Sequence, residues 1–204
     1  MTNTKDLLYY IPAGQYGKEG VLALLEQHPE IKFVSLVGID LAGNDTDEKI
    51  PMSAFFDDYE AFFEGRAVQT DGSSVVLTNI ATLNNARVDM WGDPSVNWFV
   101  DYNYENIDEA TGLPTGTLRI PAFLMHNYRY VDSRSILKNS CDYVRAELLS
   151  LIKEHGLPGM PHVKADDVVD IIFTSATELE FWVKTPSRTV TKKELSVSQK
   201  LQEQ

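Results

Sequence analysis

The chain has 204 residues, of which 43% are apolar, so it is long enough to bury the core of one large domain or two modest ones. Its formal charge of -12 argues against nucleic acid and anionic membrane surfaces as partners, because both require a basic face. The lone Cys141 cannot form a disulfide within the chain, and the sequence shows neither a signal peptide nor a run of about 18 apolar residues. These features predict a globular protein of the cytoplasm.

A helix and a hairpin are predicted near the N-terminus. The segment "GKEGVLALLEQHPE" places its aliphatic residues at helical spacing and reaches Pro29, which a helix cannot easily pass. It is therefore predicted to be a short amphipathic helix. The next segment, "IKFVSLVGIDLAG", is rich in β-branched and apolar residues, and the polar "NDTDEKIP" follows it. Together these two segments predict a β-hairpin.

A second helix and two further strands complete the predicted first half. In "SAFFDDYEAFFEG" the aromatic residues share one side of a helix that ends at Gly65. Strands are predicted in "SVVLTNIATL" and "VNWFVDYN", with "NNARVDMWGDPS" as the connection between them. The first half is thus predicted to be a small sheet with two helices.

The second half begins after a polar connection. The segment "ENIDEATGLPTG" is acidic and contains Gly and Pro, which predicts a loop and a domain boundary near residue 115. A strand, "TLRIPAFLMH", should follow. A long helix should start near Asp132, with Asp132 or Ser133 as its cap, and should end at Gly156. Its apolar residues recur at three and four positions, which is the spacing of a helix.

A pair of acidic residues lies in the last predicted strand region, "VVDIIFTSATELEFWVK". On a strand, Glu178 and Glu180 project to the same face with Cα atoms ~6.5 Å apart. Two carboxylates in a pocket repel each other unless a cation lies beside them, and Mg²⁺ or Mn²⁺ accepts such oxygen ligands. The alternative is a solvent-facing polar side of an amphipathic strand.

The loop "QTDGSSV" combines an acid, a glycine and two hydroxyls. Asp71 and Gly72 form one of the strongest turn dipeptides, because Gly tolerates positive φ and Asp can bond its own backbone two residues on. The segment is therefore interpreted either as a plain turn or as a loop that binds a ligand.

Five segments in this order resemble the N-terminal part of glutamine synthetases. "IKFVSLVGIDLAGNDTDEKIP" resembles that family's opening strand and hairpin, and "TDGSSV" resembles its Phe-Asp-Gly-Ser-Ser-Ile loop. "GDPSV" resembles its Pro-Asp-x-Ser-Thr segment, "DSRSILKNS" its Asp-Pro-Arg-x-x-Leu helix start, and "ATELEFWV" its Gly-x-Glu-x-Glu-Phe strand. The resemblance covers nearly everything from Ile31 to the end of the chain.

The resemblance implies an α+β fold, with a β-grasp domain over residues 1–115 and the beginning of an α/β catalytic domain over residues 116–204. It implies an ATP-dependent ligase that joins glutamate and ammonia in a ring-forming, dodecamer-like homo-oligomer. Glu178 would help bind the metal at the nucleotide phosphates, and Glu180 the metal near the amino-acid substrate, either ion being Mg²⁺ or Mn²⁺. Asp71, supported by Ser74, would enter a neighbouring subunit's site, bind ammonium and take its proton.

The chain also departs from the family pattern. Thr70 and Thr177 stand where the family has Phe and often Pro, and a family Asp near ammonium aligns with Arg87. A γ-glutamyl-amine ligase that uses a larger amine is therefore an alternative. The last residues start like a helix but end at Gln204 without a cap, which favours a truncated chain. Because the family's remaining ligands lie beyond Gln204, the chain alone is expected to be inactive, and a non-catalytic assembly module is a further alternative.

Overall fold

The structure is a computed structural model that describes residues 7–77, 83, 86–178 and 180. It is a mixed α/β fold built on one large sheet whose strands are mostly antiparallel. The strands are β1 (Tyr10–Ile11), β2 (Ile31–Ile39), β3 (Asp45–Pro51), β4 (Val68–Asp71), β5 (Arg87–Gly92), β6 (Trp98–Ile107), β7 (Pro114–His126) and β8 (Arg129–Tyr130). The helices are α1 (Lys18–Glu26), α2 (Met52–Asp57), α3 (Tyr59–Phe63) and α4 (Ser133–His155).

Strand β7 lies at the centre of the sheet. Its first part pairs with β6 on one side and with β2 on the other, which gives the order β1-β6-β7-β2-β3. Its second part pairs with β5 and β8, and β4 pairs with the other edge of β5. Among the described strands, β2 and β7 form the one parallel pair, from Ile31↔Gly116 to Val37↔Pro121.

The core fills one side of this sheet. Its most deeply buried side chains include Phe55 of α2, Leu36 of β2, Met90 of β5 and Ile120 of β7, all of which are fully buried. The rings of Tyr59, Phe62 and Phe63 surround the ring of Phe55 with centroid separations of 5.0 to 6.4 Å. The aromatic side that the sequence predicts for this region therefore packs onto the sheet.

The helix and hairpin predicted at the N-terminus are confirmed. Helix α1 occupies Lys18–Glu26, and β2 and β3 pair from Phe33↔Pro51 to Ile39↔Asp45. The predicted second helix is two short helices, because Asp58 between them has a ψ of 58°, far from the helical value.

The strand predicted in residues 74–83 is not observed in its described part, and residues 78–82 lie outside the described residues. The described residues of "SVVLTNIATL" form the end of a 3₁₀ turn and one isolated bridge residue, Leu77. The predicted connection "NNARVDMWGDPS" instead contains β5, which alternates buried Val88 and Met90 with less buried neighbours. That alternation is the period-two pattern of a half-buried strand.

The expected domain boundary near residue 115 falls inside the sheet. Strand β7 begins at Pro114, and it pairs with β6 from Phe99↔Arg119 to Ile107↔Pro114. Residues on both sides of 115 therefore share one sheet. The chain instead divides into two units between Asp170 and Ile171. No helix among the described residues combines the length and the apolar character that crossing a membrane requires.

The predicted start and end of the long helix are confirmed, but much of its apolar repeat is exposed. Asp132 caps α4 by accepting a hydrogen bond from the Ser135 backbone N–H at 2.8 Å, and Gly156 ends it with a φ of 73°. On α4, Ser135 is the one buried residue, and Ile136 is partly buried against the core. Cys141 and Ile152 are half-buried, whereas Leu137, Val144, Leu148 and Leu151 are exposed.

The strand predicted around Glu178 and Glu180 is not observed in its described part. Residues 168–178 and 180 have no regular secondary structure, and Val169 and Ile172 are more than four-fifths exposed. A strand needs ladder hydrogen bonds to a neighbouring strand, and apolar composition alone does not supply that neighbour.

The cap of α4 gives a test of the fold. The buried carboxylate of Asp132 accepts hydrogen bonds from the Ser135 backbone N–H, the Ser135 hydroxyl and, at 3.3 Å, the backbone N–H of Leu124 in β7. Asp132→Ala removes all three bonds, so we expect the free energy of unfolding to fall by about 2 kcal/mol or more, measured by urea denaturation. Asp142→Ala, which breaks an exposed pair with Lys138 on the same helix, should cost less than about 0.5 kcal/mol. Equal effects of the two substitutions would refute this account of the cap.

Candidate functional site

Asp71 lies at the exposed end of β4. Strands β4 and β5 pair from Val68↔Met90 to Asp71↔Arg87, after which the chain enters a 3₁₀ turn, Gly72–Ser74. The Asp71 Oδ1 atom accepts a hydrogen bond from the Ser73 backbone N–H at 2.7 Å. The carboxylate therefore caps its own turn, as the Asp-Gly dipeptide predicts.

Gly72 holds this turn close to the residues before β5. Its backbone N–H donates to the Ala86 carbonyl at 2.7 Å, and a Cβ atom here would lie only 2.2 Å from the carbonyl oxygen of Leu83. Because backbone atoms cannot yield as a side-chain tip can, no residue with a Cβ fits here without a shift of the chain. Gly72 thus fixes where Asp71 stands.

Asp40 anchors the far side of the same loop. Its Oδ2 atom accepts from the Val76 backbone N–H at 2.9 Å and from the Asn44 side-chain amide at 3.1 Å. Its Oδ1 atom accepts from the backbone N–H groups of Ala42 and Asn44. One buried carboxylate therefore joins the β2–β3 turn to the exit of the Asp71 loop. The sequence reasoning missed this role, although an Asp that opens a Gly-containing turn is a recognisable signal.

The electrostatics of the two carboxylates follow from these bonds. The hydrogen bonds from Ser73 lower the pKa of Asp71 below its ordinary value, and the side chain is exposed. Burial raises the pKa of Asp40, but the hydrogen bonds from Val76, Asn44 and Ala42 outweigh burial and leave that pKa lowered. Both groups are therefore anionic near neutral pH.

The other residues predicted for the site are also exposed. Ser74 ends the 3₁₀ turn three positions after Asp71, and Glu178 and Glu180 lie in a segment without regular secondary structure. Among the described residues, no three His, Cys, Asp or Glu side chains form a group that could hold a metal ion. The metal-binding role of the two glutamates stays a prediction.

Two of the segments that carry the sequence resemblance meet in the structure. The buried carboxylate of Asp93, from "GDPSV", accepts hydrogen bonds from the backbone and hydroxyl of Ser95 and from Arg134 of "DSRSILKNS". The Arg134 guanidinium also lies over the ring of Phe123, 5.0 Å from its centroid. Burial raises the pKa of Asp93, while the bonds from Ser95 and Arg134 outweigh burial and lower it. This arrangement fits a structural anchor for the start of α4.

A cavity of about 350 Å³ opens on the face of β5 that carries Arg87, Asp89 and Trp91. The turn between β7 and β8 forms its other wall. Arg87 Nε lies 3.2 Å from Asp89 Oδ1, yet that buried oxygen accepts no hydrogen bond. Sequence reasoning did not find this cavity, because it assigned β5 to a connection.

No family model and no curated protein matches the chain. Among solved structures, a glutamine synthetase from Plasmodium falciparum is similar, with a TM-score of 0.43 and 15% identity over 67% of this chain and 24% of that one. GmaS in complex with ADP is similar over 60% of this chain and 25% of that one, with a TM-score of 0.37 and 16% identity. The chain thus spans about a quarter of the length of each. Since both TM-scores are below 0.5, no residue role is transferred from either protein.

The Asp40 anchor gives a prediction about pH. Its pKa is lower in the folded state than the value of about 3.9 for an unfolded Asp, so its stabilising effect is complete above that value and is lost as the pH falls through the folded pKa. We expect Asp40→Asn to lower the free energy of unfolding by about 1–3 kcal/mol at pH 7, and the difference from the unsubstituted protein to shrink between pH 5 and pH 2. Denaturation in urea at each pH measures both effects.

The matched control is Asp45→Asn, at an exposed position of the adjoining strand β3. It should leave the pH profile nearly unchanged. A constant difference between Asp40→Asn and the unsubstituted protein across pH 2 to 7 would contradict the assignment.

Proposed function

We propose that this chain is the N-terminal part of an ATP-dependent glutamate–ammonia ligase, which forms glutamine through γ-glutamyl phosphate. The observation that carries the proposal is the Asp71 loop: an ionised, exposed carboxylate stands on a turn that Gly72 and Asp40 hold in place. The order of the five sequence segments adds support. A plain turn would not need a second carboxylate, the buried one of Asp40, to hold the residues that follow it.

Asp71 has the properties that ammonium binding requires. An anionic side chain attracts a small cation, and a positioned carboxylate can take a proton from it. In the proposed reaction, ammonium gives one proton to Asp71, and the resulting ammonia nitrogen forms a bond to the γ-carbonyl carbon of γ-glutamyl phosphate. The bond from that carbon to the phosphate oxygen breaks, phosphate leaves, and the nitrogen releases one further proton to solvent to give the amide. Ser74, at the end of the same turn, would support the cation.

The proposed co-substrate is ATP and the proposed metal is Mg²⁺ or Mn²⁺, with Glu178 and Glu180 as ligands. Two carboxylates are a partial set, because Mg²⁺ takes six oxygen ligands and keeps water where the protein supplies few. The described residues by themselves do not fit a complete metal site. We therefore derive no step through the metal, and we propose that the rest of the site belongs to further sequence.

The proposed assembly is a homo-oligomeric ring. Asp71 is exposed, and the described residues form no group of three or more His, Cys, Asp or Glu side chains that could hold a metal ion. An exposed acid on a rigid loop is suited to complete a site on a neighbouring copy, which this assembly would supply.

A larger amine in place of ammonia is the second candidate. Arg87 stands directly opposite Asp71 across the β4–β5 pair, and by the sequence resemblance it takes the place of an Asp near ammonium. Rates with ammonia, methylamine and ethylamine, each at limiting concentration, separate the two candidates. A preference for ammonia supports the first, and a preference for an alkylamine supports the second.

The test of the Asp71 role uses the complete protein that contains this chain. We expect Asp71→Asn to leave ATP binding intact and to reduce ammonia-dependent glutamine formation by on the order of 10²-fold, because a positioned acid–base group is lost. Glutamine formation and ATP binding are measured side by side. Asp142→Asn, which removes an exposed carboxylate of α4, is the control and should retain full activity. An unchanged rate for Asp71→Asn at limiting ammonia would return the loop to the plain-turn interpretation.

A further inference from the structure

We propose that the cavity between β5 and the β7–β8 turn binds a small zwitterion, namely an α-amino acid with an apolar side chain. The cavity is lined by Arg87, Asp89, Trp91, Met125, His126, Asn127 and Tyr128, all from described strands and the turn between β7 and β8. Its floor is one face of β5, and its volume of about 350 Å³ is in the range of small-molecule sites. The proposal concerns binding alone and stands independently of the ligase proposal.

The cationic side of the cavity is Arg87. Its side chain is 68% exposed, and its Nε atom faces Asp89. Asp71, its direct neighbour on β4, directs its carboxylate to the Ser73 backbone instead, and within the described chain Asp89 is the one acid at ion-pair distance from Arg87. The outer edge of the guanidinium therefore presents donors that match a carboxylate in paired geometry.

The anionic side is Asp89. Its Oδ1 atom is buried but accepts no hydrogen bond, so its 3.2 Å contact with Arg87 is an ion pair without good donor geometry. A buried carboxylate oxygen without a donor is destabilising, and such groups in native proteins call for a partner. The rest of the Asp89 side chain remains 28% exposed, and an ammonium group of the ligand would pair with this exposed part of the carboxylate.

The apolar part of the cavity has a preorganised wall. The Arg87 carbonyl can only accept, so His126 donates to it from Nδ1 at 3.0 Å, and its Nε2 accepts from the Asn127 amide at 2.9 Å. These two bonds hold the imidazole against β5. Met125 and Trp91 supply the apolar and aromatic surface that an aliphatic side chain would cover.

The rim of the cavity carries backbone strain. Asn127 and Tyr128 both have positive φ, 48° and 62°, which is the geometry of a tight type I′ hairpin turn. Tyrosine is unfavourable at the second of the two central turn residues, where glycine is preferred. Tyr128 occupies that position and is 93% exposed. A costly residue placed at the mouth of a cavity is a signal of function, and Tyr128 is suited to cover a bound ligand.

The test measures binding to the 204-residue chain itself, by NMR chemical-shift titration with three matched probes. L-leucine carries both charges, isoamylamine carries the ammonium alone, and 4-methylvalerate carries the carboxylate alone. We expect L-leucine to bind at least about tenfold more tightly than either single-charge probe, since each charge-assisted interaction contributes on that scale. Isoamylamine binding as tightly as L-leucine would indicate an organic-cation site and overturn the proposal, as would the absence of saturable shifts with L-leucine.

Variants locate the site. Arg87→Met and Asp89→Asn should each weaken L-leucine binding about tenfold or more, and Arg66→Met is the matched control because Arg66 forms a similar exposed pair with Glu64, also two residues away. Tyr128→Gly creates the preferred Asn-Gly turn, so it should keep or raise the Tm while weakening binding. Arg87 is mostly exposed, so its variant decides the question even if Asp89→Asn does not fold. Unchanged affinity in Arg87→Met would refute the site.

Discussion

The pairing of β7 with four other strands is the constraint on which the rest of the structure depends. One stretch of 13 residues forms the parallel pair with β2 and the antiparallel pairs with β5, β6 and β8. Leu118, Ile120 and Leu124 alternate along it and are fully buried, so one face of β7 supplies the middle of the core. The strand reaches two groups of neighbours because it is more than twice the usual strand length.

The candidate loop inherits its position from this arrangement. The second part of β7 holds β5, β5 holds β4, and β4 ends at Asp71. The first part of β7 pairs with β2, and Asp40 lies in the turn that follows β2. The Asp71 loop is therefore fixed from both halves of β7, once through a strand ladder and once through a buried carboxylate. A substitution in the β5 ladder or at Asp40 should therefore change the position of the Asp71 loop, even where the substituted residue contacts no ligand.

Local signals predicted the elements whose boundaries have their own chemistry. Pro29 follows α1, Asp132 and Gly156 mark the two ends of α4, and the polar segment after β2 marks the hairpin. The Asp-Gly dipeptide likewise predicted the turn at Asp71. In each case a side chain or a special backbone conformation acts within a few residues, so the sequence alone carries the information.

The failures involve partners distant in sequence. Strand β5 was interpreted as part of a connection between two strands, and its strand character comes from pairing with β4 and β7. Around Glu178, apolar composition predicted a strand, but the described residues there have no regular secondary structure. The apolar repeat of α4 correctly predicted a helix, but much of that repeat is exposed, since periodicity reports the shape of an element and not what covers it.

The placement of charge on β4 and β5 shows how one short bond decides what a surface can do. Asp71 and Arg87 are direct cross-strand neighbours, and opposite charges in that position usually attract each other. The Asp71 carboxylate instead accepts from the Ser73 backbone, 2.7 Å away, because Gly72 tightens the turn and brings that donor close. Both charges therefore stay available on the same face, the carboxylate at the loop and the guanidinium at the cavity. A looser turn would let Asp71 reach Arg87, and the resulting pair would neutralise both.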